Sequence, residues 1–291
     1  MVELSEVTKS FGDREIFSKV SLTISSGEVC GLVGLNGIGK STLIRAILGL
    51  ISVDSGSIKL FGSTFLYTPE LYKSIGVILD SDGFSGNLNF FDNLSFYAQI
   101  RDISTAKLKS YIDNHWSHLS TKKEPIKTFS KGERMQCSIA RAFLGEPKIL
   151  LLDEPTVNLD FKGEEQLKSL VVKAKERGAS ILISSHSFSA ISSMCDSYAH
   201  LSEAGLTKSL FSDSKVWVIK VTSGIQRAIS IIESCDYSVK LVEDSTLIVN
   251  GVDEDGAPSL IRELVNGSID VVQFYVKDSL SYLKEIHYES H

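Results

Sequence analysis

Nine residues near the N-terminus, Gly34-Leu35-Asn36-Gly37-Ile38-Gly39-Lys40-Ser41-Thr42, restrict this stretch to a strand–loop–helix unit built to hold phosphate. They satisfy G-x-x-x-x-G-K-[ST] at every position. The apolar run Glu28 to Val33 precedes them and reads as a buried strand, and a helical pattern from about Lys40 to Leu50 follows. Gly34, Gly37 and Gly39 let the backbone turn tightly, so that N–H groups point inward at the positive end of the helix. Lys40 adds a point charge for β- and γ-phosphates. The Ser41 hydroxyl is placed to ligate Mg²⁺, and Asn36 and Thr42 complete the loop.

A second segment, Ile149-Leu150-Leu151-Leu152-Asp153-Glu154, is an all-apolar strand that ends in two acids. The apolar run alone means only core. Acids at the carboxyl end of such a strand lie where α/β sheets bind ligands. Asp153 is suited to hold Mg²⁺ and Glu154 to act as general base on water. A third buried strand is expected at Ser180 to Ser184, with His186 directly after it.

These segments alternate with helical patterns over residues 1 to about 212, as an α/β domain should. Between about 80 and 145 the pattern turns mostly helical, so a helical subdomain is expected there. Asn89 and Asp92 form a capping-box variant before one of its apolar runs. Beyond residue 212 the order becomes β-α-β-β-α-β. Strands are expected at Val216 to Val221, Val239 to Val242, Thr246 to Val249 and Val271 to Val276, with a short helix after the last. Residues 213–291 therefore read as a small α+β, ferredoxin-like domain.

Together these motifs resemble the ATP-binding cassette (ABC) ATPases. Asp153-Glu154-Pro155-Thr156 and Asn158-Leu159-Asp160 match that family's Walker B and D-loop. Phe129-Ser130-Lys131-Gly132-Glu133 stands where the family has L-S-G-G-Q, and His186 stands at its switch histidine. Phe11 matches the aromatic that stacks on adenine. The resemblance implies a P-loop NTPase cassette with a mostly parallel sheet, with ATP and Mg²⁺ as cofactors. It implies a second cassette, identical or a paralogue, facing the first head to tail. Ser130 and Gly132 would then cap the γ-phosphate of the facing site, and Asp160 would cross the interface. Aspartate at 132 is expected to break such a pair without unfolding the chain.

Three positions depart from the family pattern. Lys131 and Glu133 replace a glycine and a glutamine of the signature. Asp80 stands where a glutamine usually contacts the Mg²⁺ shell; it is shorter and charged, and can still accept from a Mg²⁺-bound water. The third is Val157-Asn158 before Leu159-Asp160.

The family further implies an energy-coupling subunit of exporter type, cytoplasmic and held at the inner membrane face by a separate permease. No stretch approaches the roughly 18 apolar residues of a membrane span, and the N-terminus has no signal-peptide pattern. Phe84, in the Gly-rich loop 81–86, is the expected anchor for the permease, with Phe90 and Phe91 weighted toward core. A soluble ATPase acting on ribosomes or DNA and a non-hydrolysing regulator remain as alternatives. The net charge of −6 gives no electrostatic reason to expect nucleic acid. The four cysteines form no C-x-x-C pair and read as reduced thiols. His115 and His118 read as a solvated or half-buried helix face, and Lys122 and Lys123 as plain surface.

Overall fold

The computed structural model describes residues 1–64, 68–80, 83–187, 191–203, 205–210, 215–235, 237–243, 245–250, 252 and 256–278. The contacts divide the chain into two compact units, Met1–Leu210 and Phe211–His291.

The first unit opens on a β-layer that the α/β reading did not anticipate. Strands β1 (Val2–Phe11) and β2 (Arg14–Ile24) pair antiparallel, and β4 (Ser55–Leu60) and β5 (Ser63–Thr64) extend the sheet in the order β2-β1-β4-β5. The alternation that marks a half-buried strand is broken in β1. Glu6 takes a left-handed φ of 48°, and the register slips between Leu4 and Val7. The inward set therefore changes phase within the strand, which hides it from a period-2 reading.

The second layer is a six-stranded sheet in the order β10-β9-β3-β8-β7-β6. Its members are β3 (Val29–Val33), β6 (Ile75–Ile78), β7 (Ile149–Leu152), β8 (Ser180–Ser185), β9 (Ser197–Ser202) and β10 (Gly205–Leu210). All neighbours run parallel except the edge pair β9–β10. The run Ile149 to Leu152 is wholly buried, as a strand covered on both faces must be. Helix α1 (Lys40–Ile47) sets Leu43, Ile44 and Ile47 into one core with Val2, Leu22 and Ile24 of the first layer and Leu32 and Leu182 of the second.

Helix α2 (Pro69–Lys73) leads into β6. The helical stretch follows as α3 (Phe90–Ile100), α4 (Thr105–His115), α5 (Ser117–Ser120) and α6 (Lys131–Phe143), and α7 (Phe161–Glu176) joins β7 to β8. Asn89 caps α3 as its sequence suggests, its side chain accepting from the N–H of Asp92 at 2.9 Å. Phe90 is fully buried and Phe91 half-buried.

In the second unit, β11 (Lys215–Val221), α8 (Ile225–Ser234), β12 (Ser238–Glu243), β13 (Thr246–Asn250), α9 (Ala257–Asn266) and β14 (Val271–Asp278) form an antiparallel sheet in the order β12-β13-β11-β14. That is the strand order of a split β-α-β unit repeated twice. Its own core includes Ile219, Ile232, Leu247 and Leu260. The helix expected after Val276, and Ser81 and Asp82 of the glycine-rich loop, lie outside the described residues.

Candidate functional site

Strands β3, β7 and β8 end side by side, and each releases functional residues at its carboxyl end. From β3 the chain enters the 34–39 loop and then α1. Gly39, the residue before the helix, takes φ 116°, and a Cβ there would stand 2.7 Å from Ile16 Cγ2. Only glycine fits that turn. Ser41 and Thr42 follow in the first turn of α1, half-buried, while Asn36 and Gly37 are exposed on the loop.

Lys40 is buried, and its ammonium donates to the carbonyls of Gly34 at 2.7 Å and Leu35 at 3.2 Å. Glu154 Oε1 lies 3.8 Å away. Burial holds the Lys40 pKa below its ordinary value, while Glu154 and Asp153 push it back up. A buried cation that meets two carbonyls and a distant carboxylate among the described residues has capacity left for an anionic ligand.

Glu154 is fixed from three directions. Its backbone has φ 49°, a strained left-handed conformation for a residue with a side chain. Its N–H donates to Ser184 Oγ at 2.9 Å, and its Oε2 lies 2.9 Å from His186 Nδ1. The Ser184 hydroxyl donates in turn to Asp153 Oδ1. Ser184 thus ties the two acids of β7 to β8. The strand register explains the meeting, because Leu152 pairs with Ile183.

Asp153 is buried, and its second oxygen, Oδ2, has no hydrogen-bond partner among the described residues. A buried carboxylate oxygen without a donor calls for a cation or a water in the filled site. Among the described residues no group of three or more His, Cys, Asp or Glu is arranged to hold a metal. Mg²⁺ takes one or two protein oxygens and leaves the rest of its shell to phosphate and water, and the unpartnered Oδ2 of Asp153 could serve as one of them.

Asp80, two residues past the end of β6, has its carboxylate on Arg45 of α1 at 2.6 Å. The structure therefore gives it a partner other than the Lys40–Asp153 cluster. Phe11 ends β1 and is 53% exposed, enough to receive a flat ligand. Lys9 Nζ lies 5.1 Å from the ring centroid, and Asp54 pins the segment through Lys9 and the N–H of Ser10.

The remaining candidates stand at two other helix starts. Ser130 caps α6 in a full capping box with Glu133, and both Ser130 and Lys131 are exposed. A Cβ on Gly132 would lie 2.6 Å from the carbonyl oxygen of Asn158, so the signature turn touches the D-loop of its own chain. Besides any effect on a facing cassette, aspartate at 132 would therefore have to displace the residue 158 carbonyl of its own chain. Asp160 caps α7, its Oδ1 accepting from the N–H of Gly163 at 2.8 Å.

Three residues acquire contacts that the sequence did not reveal. Ser184 reads as the end of a strand. Lys122 reads as plain surface, yet its ammonium pairs with Glu133 and lies 5.1 Å from the Phe129 ring centroid. Phe84 reads as an exposed anchor. It is half-buried, edge-on to Tyr97 at 6.0 Å, with the Arg141 guanidinium 5.3 Å above its ring. The exposed aromatic of this region is Phe96, at 58%.

A family model described as ABC transporter matches residues 17–157. The bacitracin transport ATP-binding protein BcrA of Bacillus licheniformis is 34% identical over 215 residues, covering 72% of this chain and 69% of its own. The lantibiotic transport ATP-binding protein SrtF of Streptococcus pyogenes is 33% identical over 196 residues, covering 67% and 84%. Among solved structures, an ATP binding subunit of an ABC transporter superposes with a TM-score of 0.69 at 24% identity, covering 91% of this chain and 99% of that one. The dimeric structure of MJ0796, a bacterial ABC transporter cassette, gives 0.65 at 21% identity, covering 73% and 99%.

Proposed function

The chain belongs to the ABC transporter family as an ATP-binding ATPase subunit, and from that premise we propose that it powers an exporter as one of two facing cassettes bound to a separate permease. The observation that carries the proposal is the convergence of Lys40, Asp153, Glu154 and His186 beside the start of α1. The relatives named for bacitracin and lantibiotic transport support the exporter reading.

In this reading the ATP phosphates lie over the start of α1, where its free N–H groups and positive dipole end attract them. The Lys40 ammonium turns from the loop carbonyls to the β- and γ-phosphates. Phe11 receives the adenine face. Glu154 accepts a proton from the attacking water, and His186 holds the Oε2 edge so that the carboxylate keeps its aim. Asp153, Ser41 and water would hold Mg²⁺, which neutralises charge on the β- and γ-phosphates. Ser130 and Gly132 of the facing cassette close the site over the γ-phosphate, and Asp160 meets the partner across the interface. Asp80 would join the residues that hold Mg²⁺ only on release from Arg45, its partner in this structure.

The permease meets the helical stretch near α3, where Phe96 is exposed beside Tyr97. Among the described residues no helix is long and apolar enough to cross a membrane. In this reading, attachment at the inner membrane face comes through that partner. The MJ0796 cassette described as dimeric shares the fold and supports the pairing.

The test is steady-state ATP turnover in detergent, with the chain alone and with its co-purified membrane partner. Turnover should rise with the partner present. Equal turnover in both states, with stimulation by ribosomes or DNA instead, would overturn the exporter reading.

A further inference from the structure

The start of α6 carries a conflict of charge. Its first turn is positive by its dipole, and Ser130 is the residue proposed above to meet phosphate. Yet Glu133 sits in that same turn. A carboxylate helps the helix and opposes an incoming polyphosphate. The structure shows how the conflict is handled. Glu133 Oε2 accepts from the N–H of Ser130 at 2.9 Å, and Ser130 Oγ accepts from the N–H of Glu133 at 3.2 Å. The other oxygen, Oε1, is taken by the Lys122 ammonium, which approaches from the turn after α5. Lys122 is itself steadied over the Phe129 ring, next to Ser130 in the chain. The mutual hydrogen bond holds the Glu133 pKa below and the Lys122 pKa above their ordinary values.

We propose that Lys122 is a positioning residue of the signature turn. It neutralises and orients Glu133, so that the turn keeps the net positive field which draws the γ-phosphate of the facing cassette's nucleotide. The proposal rests on the facing-cassette reading. It predicts that the lysine is needed only because position 133 is a carboxylate. A neutral amide at 133 would keep the bond to the Ser130 N–H and carry no charge to offset.

The experiment uses the full chain in a Glu154→Gln background, which blocks hydrolysis, and reads the ATP concentration that half-saturates dimer formation by light scattering. Lys122→Met should raise that concentration about fivefold, the scale of a partly exposed charge, and more at low salt. Lys122→Arg should stay near the parent. Adding Glu133→Gln to Lys122→Met should restore the parent value. Binding of a fluorescent ATP analogue to the monomer should not change, because the Lys40 loop is untouched. An unchanged half-saturation in Lys122→Met, or no rescue by Glu133→Gln, overturns the role given to Lys122 while the facing pair stands. A parent that forms no dimer at any ATP concentration overturns the pair and this role with it.

Discussion

At the residue scale, Glu154 is a carboxylate whose every degree of freedom is occupied: backbone to Ser184, one oxygen toward Lys40, the other to His186. Glu154→Gln keeps the shape and removes the base. ATP affinity should be retained while turnover falls by about 10²–10⁴-fold. Turnover at the unaltered rate would remove Glu154 from the mechanism. Ser184 allows a sharper test. In Ser184→Ala, the Glu154 N–H loses the Ser184 acceptor and the buried Asp153 loses the one side-chain donor it has among the described residues. Stability should fall by about 1–3 kcal/mol, the cost of stranding a buried polar group. Turnover should fall as well, because both acids lose their common anchor. An unchanged denaturant midpoint would show that water replaces the hydroxyl. The sequence showed Asp153, Glu154 and His186 because their chemistry sits at strand ends in a recognisable order. Ser184 stayed hidden, since its partners lie about thirty residues away and meet it only through the β7–β8 register.

At the scale of elements, α1 and α6 present their N-termini for opposite reasons. The start of α1 has Gly39 as its N-cap residue and no side-chain cap, which suits a helix start that receives an anionic ligand. The start of α6 satisfies two of its own donors through the capping box. Gly132 in that turn departs from ordinary helix logic. Replacing an N-terminal-turn glycine by alanine usually gains helix stability. Here the new methyl would press on the Asn158 carbonyl, a backbone atom in a residue already at φ 64°. Gly132→Ala should therefore lower stability by about 1–3 kcal/mol, as overpacking does. A raised unfolding midpoint would mean that the Val157 to Asp160 turn yields freely. No local pattern could show this contact, because residues 132 and 158 belong to separate turns. The first β-layer was illegible for a different reason: the left-handed Glu6 reverses which residues of β1 face inward. The capping of α3 was legible, because an Asx cap needs only neighbours in sequence.

At the scale of the whole molecule, every residue assigned to the nucleotide site lies before residue 187, inside the unit Met1–Leu210. That unit is closed at its edge by β10, whose Lys208 pairs with Glu28 and donates to the carbonyl of Thr23. A chain cut after Leu210 keeps this strand and these contacts. The second unit buries its own apolar set, led by Ile219, Ile232, Leu247 and Leu264, against its own four-stranded sheet. Among the described residues, each of these two cores is built from residues of its own unit. Deleting residues 211–291 should therefore leave a cassette that unfolds in one cooperative transition and binds ATP within about twofold of the full chain, a change under roughly 0.4 kcal/mol. Circular dichroism melting and titration with a fluorescent ATP analogue measure the two halves of that expectation. A truncated chain with a native spectrum and no ATP binding would show that the second unit completes the nucleotide site. A truncated chain that fails to fold would show that the first unit's core is insufficient alone.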